Sequence, residues 1–161
     1  MISFLEHSNN KFDKYYAIEA DSINYNNLLK IIPENVKDKI ITICKGAGSK
    51  NQEVFFEVSG QDDSTIVKEG VNKIQIITLD DLLGTETVTT IKVDVEGYEP
   101  EVIEGAKNII KRDKPKIALS VYHDADHLWE LPLQLFKIRP DYQFYLRHHQ
   151  YEIYDTVLYA V

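Results

Sequence analysis

Apolar residues along this chain switch between a strand-like rhythm and a helical one, and each switch marks an element. Residues 15–19, Tyr-Tyr-Ala-Ile-Glu, predict a short strand, after which Asp21 or Ser22 can cap a helix that carries Ile23, Leu28, Leu29, Ile31 and Ile32 and stops at Pro33. Residues 39–44 predict the next strand, its Ile40, Ile41 and Ile43 too apolar for a surface edge. Residues 54–58 and 74–78 predict a β excursion around the polar, glycine-containing stretch 59–70, and residues 79–83 a short helical turn. A central strand follows at 90–95. Apolar residues at 102, 103, 106, 109 and 110 then keep helical spacing, which predicts one helix over 98–112. The remaining pattern predicts a strand at 116–122, a helix at 125–138 and strands at 142–147 and 156–161. The short connection between these last two permits only an antiparallel pair.

Strands that alternate with helices imply an α/β domain with a mainly parallel sheet and helices on its faces. Length agrees: 161 residues without a repeat or a Pro/Gly/Ser linker read as a single domain, residues 1–161, large enough for a core. Apolar content of 43% and charged content of 27% are ordinary for such a domain. The net charge of -8 argues against a duplex nucleic-acid partner, whose binding rests on basic phosphate contacts. No basic N-terminal flank precedes an apolar core and no run approaches the roughly 20 apolar residues of a membrane span, so the expectation is no membrane insertion and a cytoplasmic location. Cys44, the single cysteine, cannot form an internal disulfide and is expected to be a buried small hydrophobe.

Candidate chemistry concentrates where the predicted central strand ends. In a parallel α/β sheet, ligands sit outside the carboxyl ends of the strands. Asp94 and Glu96 are two residues apart, so they share a face for as long as the strand lasts, and Gly97 permits a sharp turn into the next helix. The segment Ile91-Lys92-Val93-Asp94-Val95-Glu96-Gly97-Tyr98-Glu99 resembles the signature of FkbM-type S-adenosylmethionine-dependent methyltransferases. Further stretches resemble the same family in the same order: Tyr16-Ala17-Ile18-Glu19-Ala20-Asp21, Thr78-Leu79-Asp80-Asp81-Leu82-Leu83, Ser120-Val121-Tyr122-His123, Tyr145-Leu146-Arg147-His148-His149 and Thr156-Val157-Leu158-Tyr159-Ala160. The resemblance implies a Rossmann-like class I methyltransferase sheet, mostly parallel with one antiparallel strand near the C-terminus. It also implies that the family's first strand and glycine-rich cofactor loop would precede Ile2, with Ile2–His7 as the tail of the following helix. By that expectation the chain is truncated and exposes two inner sheet edges.

The resemblance implies S-adenosyl-L-methionine as cofactor and a hydroxyl on a small-molecule or glycan acceptor, such as a sugar or secondary metabolite, as substrate. Glu19 ends the first predicted strand, where a carboxylate, being acceptor-only, can take both ribose hydroxyls; Ala20 stands beside it. Gly46 and Ala47 are implied to lie near the adenine, although the 45–50 stretch reads as a turn and has neither glycine-loop pattern of a phosphate site. Residues 61–64, Gln-Asp-Asp-Ser, are a further candidate on the adenine or substrate side. Asp94 and Glu96 have three open roles: binding the cofactor or substrate, acting as general base, or holding a metal. Glu99 and Glu101 read as favourable charge at a helix N-terminus. His123 is the first candidate base, and His148 would emerge at the same sheet edge if its strand is parallel. His127 reads as a surface residue. The acids and histidines lack the fixed short spacing of a metal signature, so no metal is expected. Tyr122 and Trp129, with Tyr142, Phe144, Tyr145 and Tyr151, could form an aromatic substrate wall, while core packing is the preferred account of Phe144 and Tyr159. The alternatives are a non-catalytic binding module that keeps part of this fold and, below it, a metal-dependent hydrolase.

Overall fold

The computed structural model describes residues 1–57, 65–67, 69–150 and 155–161; the 61–64 stretch and Tyr151 lie outside them. In chain order the elements are α1 (Ile2–His7), β1 (Tyr15–Ile18), α2 (Ser22–Lys30), a 3-10 turn (Glu34–Lys39), β2 (Ile40–Ile43), β3 (Gly46–Ala47), β4 (Gln52–Glu57), β5 (Thr65–Val67), β6 (Lys73–Ile77), α3 (Leu79–Leu83), β7 (Thr90–Val93), α4 (Glu99–Gly105), α5 (Lys107–Asp113), β8 (Lys116–Ser120), α6 (His127–Ile138), β9 (Phe144–His148) and β10 (Thr156–Ala160). The fold is mixed α/β. The strands form three sheets, ordered β1-β2, β7-β8-β10-β9 and β3-β6-β4-β5, rather than one mainly parallel sheet. One reason is the excursion after β2, whose β4 and β5 pair antiparallel, Phe55 opposite Val67. None of the described helices is long and apolar enough to cross a membrane.

The chain divides into two compact units. The first comprises Met1–Gly46 and Glu53–Gln75. Here β1 and β2 run parallel from Tyr15 opposite Ile40 to Ile18 opposite Ile43, and the Glu19 N–H extends the ladder by donating to the Ile43 carbonyl at 3.0 Å. Asp21 caps α2 as expected, its Oδ1 accepting from the N–H groups of Ile23 (2.7 Å) and Asn24 (3.1 Å). Cys44 is exposed, contrary to expectation, because β2 ends at Ile43 and leaves it in the loop beyond the strand.

The second unit comprises Ala47–Gln52 and Ile76–Val161. β7 and β8 are parallel, with Val93 opposite Leu119, while β10 runs antiparallel to both β8 and β9. The expected antiparallel pairing of the last two strands is therefore present, and β9 points the same way as β7 and β8. Helices α4, α5 and α6 pack against one another. Leu119, Leu131, Leu135 and Ala160 are fully buried, and Val102, Ile103, Ile109 and Ile110 of α4 and α5 are buried with them.

The helix expected over 98–112 is broken at Ala106 (φ -111°, ψ 7°) into α4 and α5. Two contacts explain the break. The Asp80 carboxylate of α3 caps a new helix start by accepting from the N–H groups of Asn108 (3.0 Å) and Ile109 (2.9 Å). Gly105 brings its backbone against that of Gly48, so that a Cβ on Gly105 would stand 1.9 Å from the Gly48 carbonyl oxygen. The 45–50 stretch, expected as a turn, accordingly begins with the two-residue β3 before it reaches Gly48. Gly105→Ala should thus lower stability by about 3 kcal/mol, the upper part of the range for overpacking, because the obstacle is backbone and cannot rotate away. A urea unfolding midpoint equal to that of the unaltered protein would remove this contact from the account.

Candidate functional site

The junction after β7 builds the site from a turn. β7 ends at Val93, two residues earlier than expected, so strand alternation does not align Asp94 with Glu96. The turn aligns them instead: Glu96 (φ 51°) and Gly97 (φ 92°) are both left-handed. Gly97 tolerates this freely, whereas Glu96 carries strain on the order of 1 kcal/mol, the kind of cost found at functional turns. Both acids reach a common partner on the next strand. His123, three residues beyond the end of β8, places Nε2 3.4 Å from Glu96 Oε2 and 3.7 Å from Asp94 Oδ1.

The other ring nitrogen fixes this orientation. His123 Nδ1 lies 2.9 Å from Oε1 of Glu99, a side chain with no solvent exposure in the first turn of α4. The same Oε1 accepts the Val95 N–H at 3.0 Å, which ties the strained turn to the helix. Glu99 Oε2 faces His127 Nδ1 at 3.4 Å. His127 is buried rather than on the surface as expected, because α6 turns residues 127, 131 and 135 inward on one stripe. Glu99 is thus not merely helix-end charge; it joins two histidines from two other segments. Its Oε2, His123 Nε2 and His127 Nδ1 are buried atoms that complete no hydrogen bond.

Burial alone would raise the Glu99 carboxyl, but the His123 hydrogen bond, the backbone donors and the imidazole charge outweigh it and hold Glu99 below the usual carboxylate range. Burial likewise opposes the charge on His123. The Glu99 hydrogen bond and the negative charges of Glu99, Glu96 and Asp94 overcome that penalty and raise His123 above its ordinary value. An ionised Glu99 can only accept, so the shared proton is on Nδ1 and Nε2 is directed towards Asp94 and Glu96.

Asp94 has its own support. Lys92 Nζ donates to Asp94 Oδ2 at 3.0 Å and to Ser120 Oγ at 2.9 Å, and the Tyr122 hydroxyl donates to Asp94 Oδ1 at 3.2 Å. Despite burial, the Ser120 hydrogen bond and Lys92 keep the Asp94 carboxyl below its usual range. Partial burial, followed by the Asp94 charge, pushes the Tyr122 phenol up to about 12. Its ring packs on the His123 ring, with centroids 4.2 Å apart. Asp94, Glu99 and His123 each offer an atom within 4.8 Å of the other two, so they could also hold a metal ion. Lys92 already supplies positive charge beside Asp94.

The structure therefore gathers Asp94, Glu96, Tyr122 and His123, and adds Glu99, His127, Lys92 and Ser120. His148 ends β9 at the same edge of the sheet, but β10 intervenes and His148 Nδ1 instead pairs with Thr156 Oγ1 at 2.9 Å. Trp129 is half exposed on the outer face of α6, two residues and so about 200° around the helix from His127. Tyr142 is buried, donating from its hydroxyl to the Pro115 carbonyl at 2.7 Å, which is a packing role. Tyr145 and Tyr159 border an open depression of about 610 Å³ with Arg147, His149 and Val161 across β9 and β10. Phe144 and Tyr159 are only half-buried. In the first unit, Glu19 follows β1 and its Oε1 accepts the Asp21 N–H at 2.8 Å, with Ala20 between them. Gly46 and Ala47 form β3, Gly46 buried and Ala47 half-buried.

Residues 2–153 match the methyltransferase FkbM domain family. The crystal structure of the methyltransferase FkbM from Methylobacillus flagellatus KT is similar over 99% of this chain, at 30% identity and a TM-score of 0.85. This chain spans 40% of the length of that one. No curated protein matches it.

Proposed function

From the premise that this chain belongs to the FkbM methyltransferase domain family, we propose that it serves an S-adenosylmethionine-dependent methyl transfer to a hydroxyl group of a small-molecule or glycan acceptor. The observation that carries the reading is the His123 imidazole, clamped at Nδ1 by a buried carboxylate with Nε2 turned towards Asp94 and Glu96. The family resemblance is what suggests a Rossmann-like architecture for these residues, in which ligands lie outside the carboxyl ends of strands.

The donor set suits the cofactor. Glu19 is a carboxylate at the carboxyl end of β1, steadied by the Asp21 N–H, and an acceptor-only group of this kind matches a vicinal diol. Glu19 with Ala20 would hold the ribose, Gly46 and Ala47 the adenine, and Asp94 the amino end. When bound, S-adenosylmethionine supplies an electrophilic methyl group on a sulfonium. The chain's own residues provide the rest. Asp94 and Glu96, the more exposed groups, position the acceptor, and the proton leaving its hydroxyl passes by way of these carboxylates to the buried His123 Nε2 behind them. Glu99 stabilises the resulting imidazolium through Nδ1. Alignment and proton removal are the two contributions a methyl transfer to oxygen needs most. Tyr122, held at its hydroxyl by Asp94, borders the acceptor side.

Calorimetric titration with S-adenosylhomocysteine tests the cofactor assignment. Binding should weaken by about 1.5 to 3 kcal/mol in Glu19→Ala, the range for hydrogen bonds to a charged group. Measured in a complete enzyme, equal affinity with and without the Glu19 carboxylate would take Glu19 out of the site, and no binding at all would overturn the cofactor reading.

A further inference from the structure

α6 is apolar on two opposite faces. His127, Leu131 and Leu135 face the core and are buried, while Trp129, Leu133 and Phe136 form a second stripe at spacings of four and three residues, each about half exposed, with Leu128 on its flank. A surface helix ordinarily has one apolar stripe, and apolar character on both sides marks a helix that is covered on both. A contiguous patch of this size exceeds the scattered apolar residues normal on a protein surface.

The charges beside the stripe identify what covers it. Glu130 and Lys137 are seven residues apart, so they lie on the same flank, one near each end of the stripe. Neither forms an ion pair within the described residues. When two such helices pack antiparallel about a two-fold axis near Leu133, Glu130 of each copy comes level with Lys137 of the other. The aromatic ends of the stripe then cover one another. An isologous contact demands this self-complementarity, with residue i meeting j and j meeting i. In an antiparallel pair of helices, positions flanking the apolar seam on the same side do meet.

We propose that the outer face of α6, the Trp129, Leu133 and Phe136 stripe with Glu130 and Lys137, is a self-association surface that pairs two copies of this chain antiparallel. A single helix face of 12 residues, about 18 Å long, is smaller than a standard interface, so the dimer is reversible and concentration-dependent.

Sedimentation velocity of the full chain over a wide concentration range tests this. The mass average should climb from that of a monomer towards twice that value, and Leu133→Glu should hold it at the monomer. Glu130→Lys alone and Lys137→Glu alone should each weaken association roughly tenfold, and the double reversal should restore it. That rescue separates lost contact from lost folding, because a misfolded variant would not be repaired by a second charge change. A monomer at every concentration, a Leu133→Glu protein that still dimerises, or a double reversal no better than either single change would each overturn the proposal.

Discussion

Glu99→Gln should be the most destabilising change at the site, costing about 3 kcal/mol at pH 5.5 and distinctly less at pH 8. Removing one partner of a buried ion pair typically costs about 3 to 5 kcal/mol, because the other charge is left uncompensated. The lower end applies here, since His123 can relieve its position by releasing a proton. Linkage fixes the pH window. Glu99 is held below its ordinary value of 4.5, so its stabilisation is present above that value and disappears as the pH falls through the folded pKa. His123 is raised above its ordinary value of 6.5, so its stabilisation is complete below that value and disappears as the pH rises through the folded pKa. Both are in force between those two values, and the variant's deficit should peak there. Urea unfolding at pH 5.5 and pH 8 checks it. A deficit independent of pH would show that Glu99 acts through packing or the Val95 hydrogen bond rather than through the imidazolium.

Much of the fold was legible because its elements are set by local rules. The Asp21 cap, the isoleucine-rich β2, the helical turn after Thr78 and the antiparallel β9 and β10 each follow from residues within a few positions of one another. What was missed depends on partners far away in sequence. A single helix over 98–112 is locally sound, and only Gly48 and the Asp80 carboxylate, brought in by β3 and α3, divide it. Glu99 illustrates the same limit at the site. Three acids near a helix start satisfy the helix dipole equally well, and nothing in the segment distinguishes the one that meets a histidine 24 residues later. Pro100 beside Glu99 fixes the helix start, but it does not name the partner. His127 had a usable signal: it stands four and eight residues before Leu131 and Leu135, the buried phase of α6. The sheet pattern did carry the central idea correctly, since β7 and β8 are adjacent and parallel, and therefore deliver Asp94 and His123 to one edge.

His123→Gln should lower turnover by about 10² to 10⁴-fold, the usual contribution of a positioned acid or base, with the fold retained if the measurement is made above pH 8. In the unaltered protein the base form is neutral His123. Because Glu99, Glu96 and Asp94 raise its pKa, kcat/KM should climb with pH through a value above 6.5 and then level off. Two neighbours cannot imitate that profile: Tyr122 is pushed up to about 12, and Asp94 is held below its usual range, so neither changes protonation across neutral pH. Glu99→Gln supplies the second arm. It removes the hydrogen bond and the charge that do most to raise His123, so the inflection should move to lower pH even while the plateau falls. A carboxylate-to-amide change that acted only by loosening the fold would lower the plateau and leave the inflection in place. A flat profile between pH 6 and 9 in the unaltered protein, or full turnover in His123→Gln, would exclude His123 as the base. Asp94 and Glu96 would then be the groups to examine, through Asp94→Asn and Glu96→Gln, with the proton passing to a carboxylate instead.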